Sequence, residues 1–206
     1  SSDLASGLLL LPHFADAAVA LAMLVGCIVL WACSVPLALS ILVILFLRMV
    51  LHKLPPAAMA ATSWLALGPI GTGALGLALL ALNGPQAMTA SGLGVLAPAM
   101  AGTALLGALA LWGYGVWWFA VALLVTVRQI RLGLPFNLGW WAYTFPLGVY
   151  ALATLKIGAL LPLGFFPAAG AGMVGLLVLI WSVVAARTAT GAIKGGLFHD
   201  PCVTAA

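Results

Sequence analysis

Phe145 and Pro146 stand side by side, and Lys156 follows eleven residues after Phe145, in the apolar stretch FNLGWWAYTFPLGVYALATLK from Phe136 to Lys156. A proline inside a helix removes an N–H and displaces the carbonyl one turn earlier, so a kink is expected at Pro146. At 3.6 residues per turn, Phe145, Val149, Leu152 and Lys156 share one face, with Lys156 about three turns from Phe145. If that face lines a path, it carries an apolar aromatic constriction and a cation in the outer mouth that concentrates small anions. If it meets lipid or other helices, it carries a packing phenylalanine and a lysine that snorkels to the headgroups. The spacing leaves both readings open.

A second stretch repeats the theme. Pro69 is flanked by Gly68, Gly71, Gly73 and Gly76. Gly68, Thr72 and Gly76 recur every four residues, a face on which helices approach closely. A kink at Pro69 also frees backbone groups able to solvate an ion, and close packing alone explains the glycines equally well. They form no phosphate-binding loop, because a strand before them and a Lys-Ser or Lys-Thr after them are lacking.

Other chemistries find little support. The carboxylates are Asp3, Asp16 and Asp200, none at mid-membrane depth, which speaks against a cation channel or an autonomous proton relay. His13, His52 and His199 lie near membrane edges or in the tail, without a spacing that sandwiches a haem or holds a metal. His199-Asp200 is the sole pairing suggestive of an enzyme, and it sits in a polar tail, so no enzymatic activity, cofactor or metal is expected. Cys27 and Cys33 are six residues apart on one helix, about 9 Å along its axis, beyond disulfide reach. With Cys202 they read as apolar fillers or free thiols.

The elements that position these residues follow from composition. Of 206 residues 66% are apolar, with seven Lys or Arg and three Asp or Glu. Soluble domains carry roughly 25% charged residues, so lipid must be the solvent and the chain is all-α, a polytopic transmembrane helical bundle. Apolar runs predict a partial helix over about 4–11, then helices over 17–51, 57–82, 98–129, 138–161 and 167–190, with a tail over 191–206. Pro55-Pro56 makes a turn, Asn83-Gly84-Pro85 ends the third helix, and a flexible loop runs on to Pro98. The start Ser1-Ser2-Asp3, lacking a methionine and a signal-peptide pattern, reads as a fragment or processed chain.

Charge orients the bundle. Arg48, His52 and Lys53 follow the second segment, Arg128 and Arg131 the fourth, and Arg187 and Lys194 the sixth, while the intervening loops are uncharged. Basic ends accumulate in the cytoplasm, which places the C-terminus there. The net charge of +4 is then a topology signal, with no nucleic-acid partner implied.

The stretch from Phe136 to Lys156, with its WW-x-Y-TFP pattern, closely resembles the penultimate helix of the tellurite-resistance/dicarboxylate transporter family. That family includes the plant slow-type anion channel, the bacterial tellurite-resistance protein and the fungal malic-acid permease. Leu54-Pro55-Pro56 followed by Trp64-Leu65-Ala66-Leu67-Gly68-Pro69 resembles its seventh helix. The resemblance implies part of a ten-helix, five-hairpin pore fold, from the end of helix five to helix ten, assembled as a homo-trimer in lipid. It also implies passage of small anions such as chloride, sulfite or malate, or proton-coupled dicarboxylate symport on the same fold. Phe145 would then be the pore gate, Pro146, Pro69, Gly68 and Gly71 would shape the path, and Lys156 would attract anions. The expected location is a bacterial inner membrane. A non-conducting membrane subunit is the rival from another class.

Overall fold

The computed structural model describes residues 7–13, 16–51, 57–134 and 136–195 of the chain. The Pro55-Pro56 turn, His52 and Lys53, and the His199-Asp200 tail lie outside the described residues. Five long helices make up the bundle: α1 (Ala17–Leu51), α2 (Leu67–Ala90), α3 (Ala97–Arg131), α4 (Thr144–Leu160) and α5 (Phe165–Ile193). All five are long and apolar enough to cross a membrane, and the described residues contain no strand. Lipid cannot satisfy backbone polar groups, so each span closes its own hydrogen bonds.

The helices are not equivalent. In the most apolar window of the α2 span 67% of residues are buried, against 11% for α1 and α5. α2 lies at the centre, wedged mainly between α3 and α4, with α1 along its flank and α5 behind α4. Small residues make this possible. A Cβ on Gly71 would stand 3.0 Å from the Tyr150 backbone nitrogen and 3.1 Å from its Cα, so α2 and α4 touch backbone to backbone. Around the N-terminal ends of α2 and α4 the core is aromatic, with Trp64, Trp118, Tyr143 and Tyr150 buried together.

Both prolines singled out in the sequence sit elsewhere than mid-helix. Residues Ala57–Ala66 wind as 3-10 helix, and the α-helical ladder begins at Leu67, which puts Pro69 in the first turn of α2. Leu138–Tyr143 likewise winds as 3-10 helix, and Pro146 falls in the first turn of α4. The expected kinks are therefore junctions between two helix types. The first four N–H groups of an α-helix have no intrahelical partner, so a proline there forfeits nothing. The ring obstructs an α-type turn upstream, and the tighter 3-10 winding takes its place.

The third helix also ends later than the sequence suggests. α2 runs through Asn83-Gly84-Pro85 to Ala90, and the segment expected as flexible loop is helix as far as that residue. The Asn83 amide leaves its own helix and donates to the Leu8 carbonyl at 2.9 Å. Thr89 Oγ1 donates to the Pro85 carbonyl at 2.8 Å, and Gly84 lets Met100 of α3 lie against the backbone. Termination comes at Ser91-Gly92, where Gly92 takes a φ of 78°, a conformation that favours glycine. Leu8 and Leu11, on the short segment before α1, are buried against this end of the bundle.

Candidate functional site

The two proline junctions face each other. Leu65, at the end of the 3-10 stretch, and Gly68, Pro69 and Thr72 from the start of α2 meet Phe145 and Pro146 from the start of α4 around a crevice of about 330 Å³. Its third wall is Ser34, Val35 and Ala38 of α1, which sequence reasoning did not anticipate. α1 is apolar all round, so no periodicity marks the face it turns inward. The ring of Phe145 lies close to Gly68, where an added Cβ would stand 3.8 Å from its Cε1.

Phe145 borders a second opening as well. A wide cavity of about 440 Å³ lies between α4 and α5, lined by Thr144, Gly148, Val149, Leu177 and Trp181 together with Phe145. The phenyl ring is thus common to both spaces, and at 64% exposure it is the most open aromatic ring of the region. Turning it about χ1 would change the boundary between the two.

The crevice around Phe145 offers an ion little to bind. Its polar side chains are Ser34 and Thr72. Ser34 Oγ donates to the Leu30 carbonyl at 2.8 Å, and Thr72 Oγ1 lies 3.0 Å from the Gly68 carbonyl and 3.2 Å from that of Pro69. A hydroxyl has one proton, so these donors are turned to the backbone. What remains is a mostly apolar crevice whose two hydroxyls are bonded to backbone carbonyls.

Gly71 has a different place from its neighbours. It lies in the backbone contact between α2 and α4, outside the crevice lining, and sets how closely the two junctions approach. Lys156 is half-buried on the row of Phe145, Val149 and Leu152, about 16 Å farther along α4. The residues around that row, Leu147, Tyr150, Ala151, Ala153 and Thr154, are buried, so the open side of α4 is the one carrying Phe145 and Lys156. The sole carboxylate among the described residues is Asp16, just before α1.

A polar circuit fixes that orientation. Tyr150 donates its hydroxyl to the Trp112 carbonyl at 2.6 Å, Trp112 Nε1 donates to Thr154 Oγ1 at 2.9 Å, and Thr154 donates to the Tyr150 carbonyl at 2.8 Å. Gly115 opposite has no side chain, which leaves room for the Tyr150 ring. Hydrogen bonds between spanning helices contribute about 0.6 to 2 kcal/mol each, enough to hold α4 against rotation on α3. Buried tyrosine and tryptophan both need partners, which was the available signal for Tyr150 and Trp112.

Comparison with known proteins gives a consistent picture. The family model described as voltage-dependent anion channel (SLAC1) matches residues 4–189. A transporter of Methanocaldococcus jannaschii, itself described as uncharacterized, is 30% identical over 196 residues, covering 95% of this chain and 54% of the relative. Sulfite efflux pumps of Arthroderma benhamiae and Trichophyton rubrum are 37% and 36% identical over 187 residues, covering 87% of this chain and 48% of each pump. The chain spans about half the length of the curated relatives it matches. No solved structure matches it significantly.

Proposed function

The chain belongs to the voltage-dependent anion channel family, and from that premise we propose that small anions cross the membrane through the space where the Pro69 and Pro146 junctions meet. Phe145 is the gate. Pro146, Pro69 and Gly68 shape the constriction, Gly71 sets its width through the backbone contact with Tyr150, and Lys156 draws anions to the outer mouth. The substrate class is chloride, sulfite or C4-dicarboxylates such as malate. Sulfite ranks first, since fungal relatives are named sulfite efflux pumps. Basic helix ends face the cytoplasm, and the working unit is a homo-trimer of the full protein in a bacterial inner membrane.

The observation that carries this reading is the place of Phe145, a ring shared by two openings and resting near a glycine. The hydroxyls around it are already committed to backbone carbonyls, which favours passage over tight binding. An anion held by several hydrogen bonds leaves slowly, whereas conduction needs weak sites.

The test is substituted-cysteine accessibility in the full-length protein, with Cys27, Cys33 and Cys202 replaced. Thr72→Cys treated with a negatively charged thiol reagent should lose most of its anion flux in liposomes. Leu106→Cys, exposed on α3, should keep it. Equal sensitivity at both positions would contradict a path past Thr72. Malate moved uphill by a pH gradient would point instead to a proton-coupled carrier.

A further inference from the structure

A separate crevice of about 210 Å³ opens between the C-terminal halves of α3 and α5. Leu123 and Ile130 of α3 and Leu179 and Val183 of α5 form its walls, and Trp140 and Tyr143 of the 3-10 stretch before α4 lie within it. The hydroxyl of Thr126, which also borders the space, accepts from Trp64 Nε1 at 2.9 Å. Everything else that a chain in the crevice would touch is apolar or aromatic, and both walls are apolar spanning helices.

One end of this crevice is basic. Arg187 follows Val183 by one helical turn, and its guanidinium carbon sits 5.7 Å from the ring centroid of Trp140 and 5.8 Å from that of Phe136. Arg128 and Arg131 occupy the last turn of α3, beside Ile130 at the same end. A guanidinium resting on aromatic faces keeps its N–H donors in its own plane, free for a second partner. Among the described residues the sole carboxylate is Asp16, just before α1. Planar forked donors suit a phosphate, and basic pockets between spanning helices suit anionic headgroups.

We propose that this crevice is a docking site for an anionic phospholipid, with one acyl chain between α3 and α5 and the headgroup phosphate on Arg187. Charge complementarity selects the occupant, because an apolar slot with a cation at one end matches an acyl chain with a phosphate at its end. The site shares no residue with the crevice around Phe145, so it stands or falls independently of the proposed transport.

The full-length protein in detergent is mixed with phosphatidylglycerol or phosphatidylcholine of identical chains, and retained lipid is read by native mass spectrometry. Phosphatidylglycerol should be retained about fivefold over phosphatidylcholine. Arg187→Gln should abolish that preference while lowering the thermal midpoint by no more than a few degrees, since Arg187 is exposed and its ring contacts are weak. Arg48→Gln, exposed at the end of α1, should preserve it. Leu179→Trp, at a position 61% exposed on the wall, should lower retention of both lipids by filling the slot. Equal retention of the two lipids by the unaltered protein would overturn the proposal. So would an equal loss in the Arg48 and Arg187 variants, which would indicate diffuse surface charge. Subunit cross-linking through Leu179→Cys without retained lipid would assign the crevice to a second copy.

Discussion

Replacing Gly71 by alanine tests whether the α2–α4 contact is set by backbone rather than side chains. The new Cβ would meet Tyr150 N at 3.0 Å, Tyr150 Cα at 3.1 Å and Val149 C at 3.3 Å. Carbon contacts are optimal at roughly 3.5–4.0 Å, so the helices must part by about half an ångström. None of the three atoms belongs to a side chain that can turn away. Overpacking of this kind costs about 1–3 kcal/mol, whereas alanine gains about 1 kcal/mol over glycine in helix propensity. With three backbone contacts to relieve, the steric effect outweighs the propensity gain, and Gly71→Ala is expected to destabilise by up to about 2 kcal/mol. Gly113 on α3 supplies the control, since a Cβ there meets nothing within 4 Å. Gly113→Ala keeps only the propensity gain and should stabilise. Reversible unfolding in mixed micelles gives both values. A Gly71→Ala protein as stable as the Gly113→Ala protein would refute the reasoning.

Thr154→Val removes the acceptor of Trp112 Nε1 while keeping the side-chain shape. It should cost about 1 kcal/mol in the same unfolding measurement, the usual range for a hydrogen bond between spanning helices, and a neutral result would remove the circuit from the account. Lys156→Gln should lower anion flux severalfold at low ionic strength and hardly at all in concentrated salt. The screening length falls from about 30 Å at 0.01 M to about 3 Å at 1 M, so a loss independent of salt would mean that Lys156 does not act through its field.

The row of Phe145, Val149, Leu152 and Lys156 was legible because 3.6 residues per turn fixes which side chains align, and that row is the open side of α4. The helix types upstream were not. Over Ala57–Ala66 and Leu138–Tyr143 the residues are nearly all apolar, and an apolar run looks alike in 3-10 and α winding. The prolines marked the places and misled about their nature, since each opens an α-helix where a mid-helix kink was expected. Asn83-Gly84-Pro85 reads as a terminator locally, but a tertiary partner for Asn83, the Leu8 carbonyl, keeps the helix going. The wall from α1 was invisible for a further reason. In lipid the outward face is as apolar as the inward one, so Ser34 and Val35 carry no mark of which way they turn. The family match accords with the WW-x-Y-TFP pattern, whose residues sit at the α4 junction.

The central claim is that Phe145 closes an anion path, and the direct measurement is anion flux through the full-length protein in liposomes, unaltered against Phe145→Ala. With chloride, sulfite and malate compared, a passive flux that rises by about tenfold in the variant, equivalent to about 1.4 kcal/mol off the barrier, is the predicted result. An unchanged flux from Phe145→Ala protein of normal stability would contradict it.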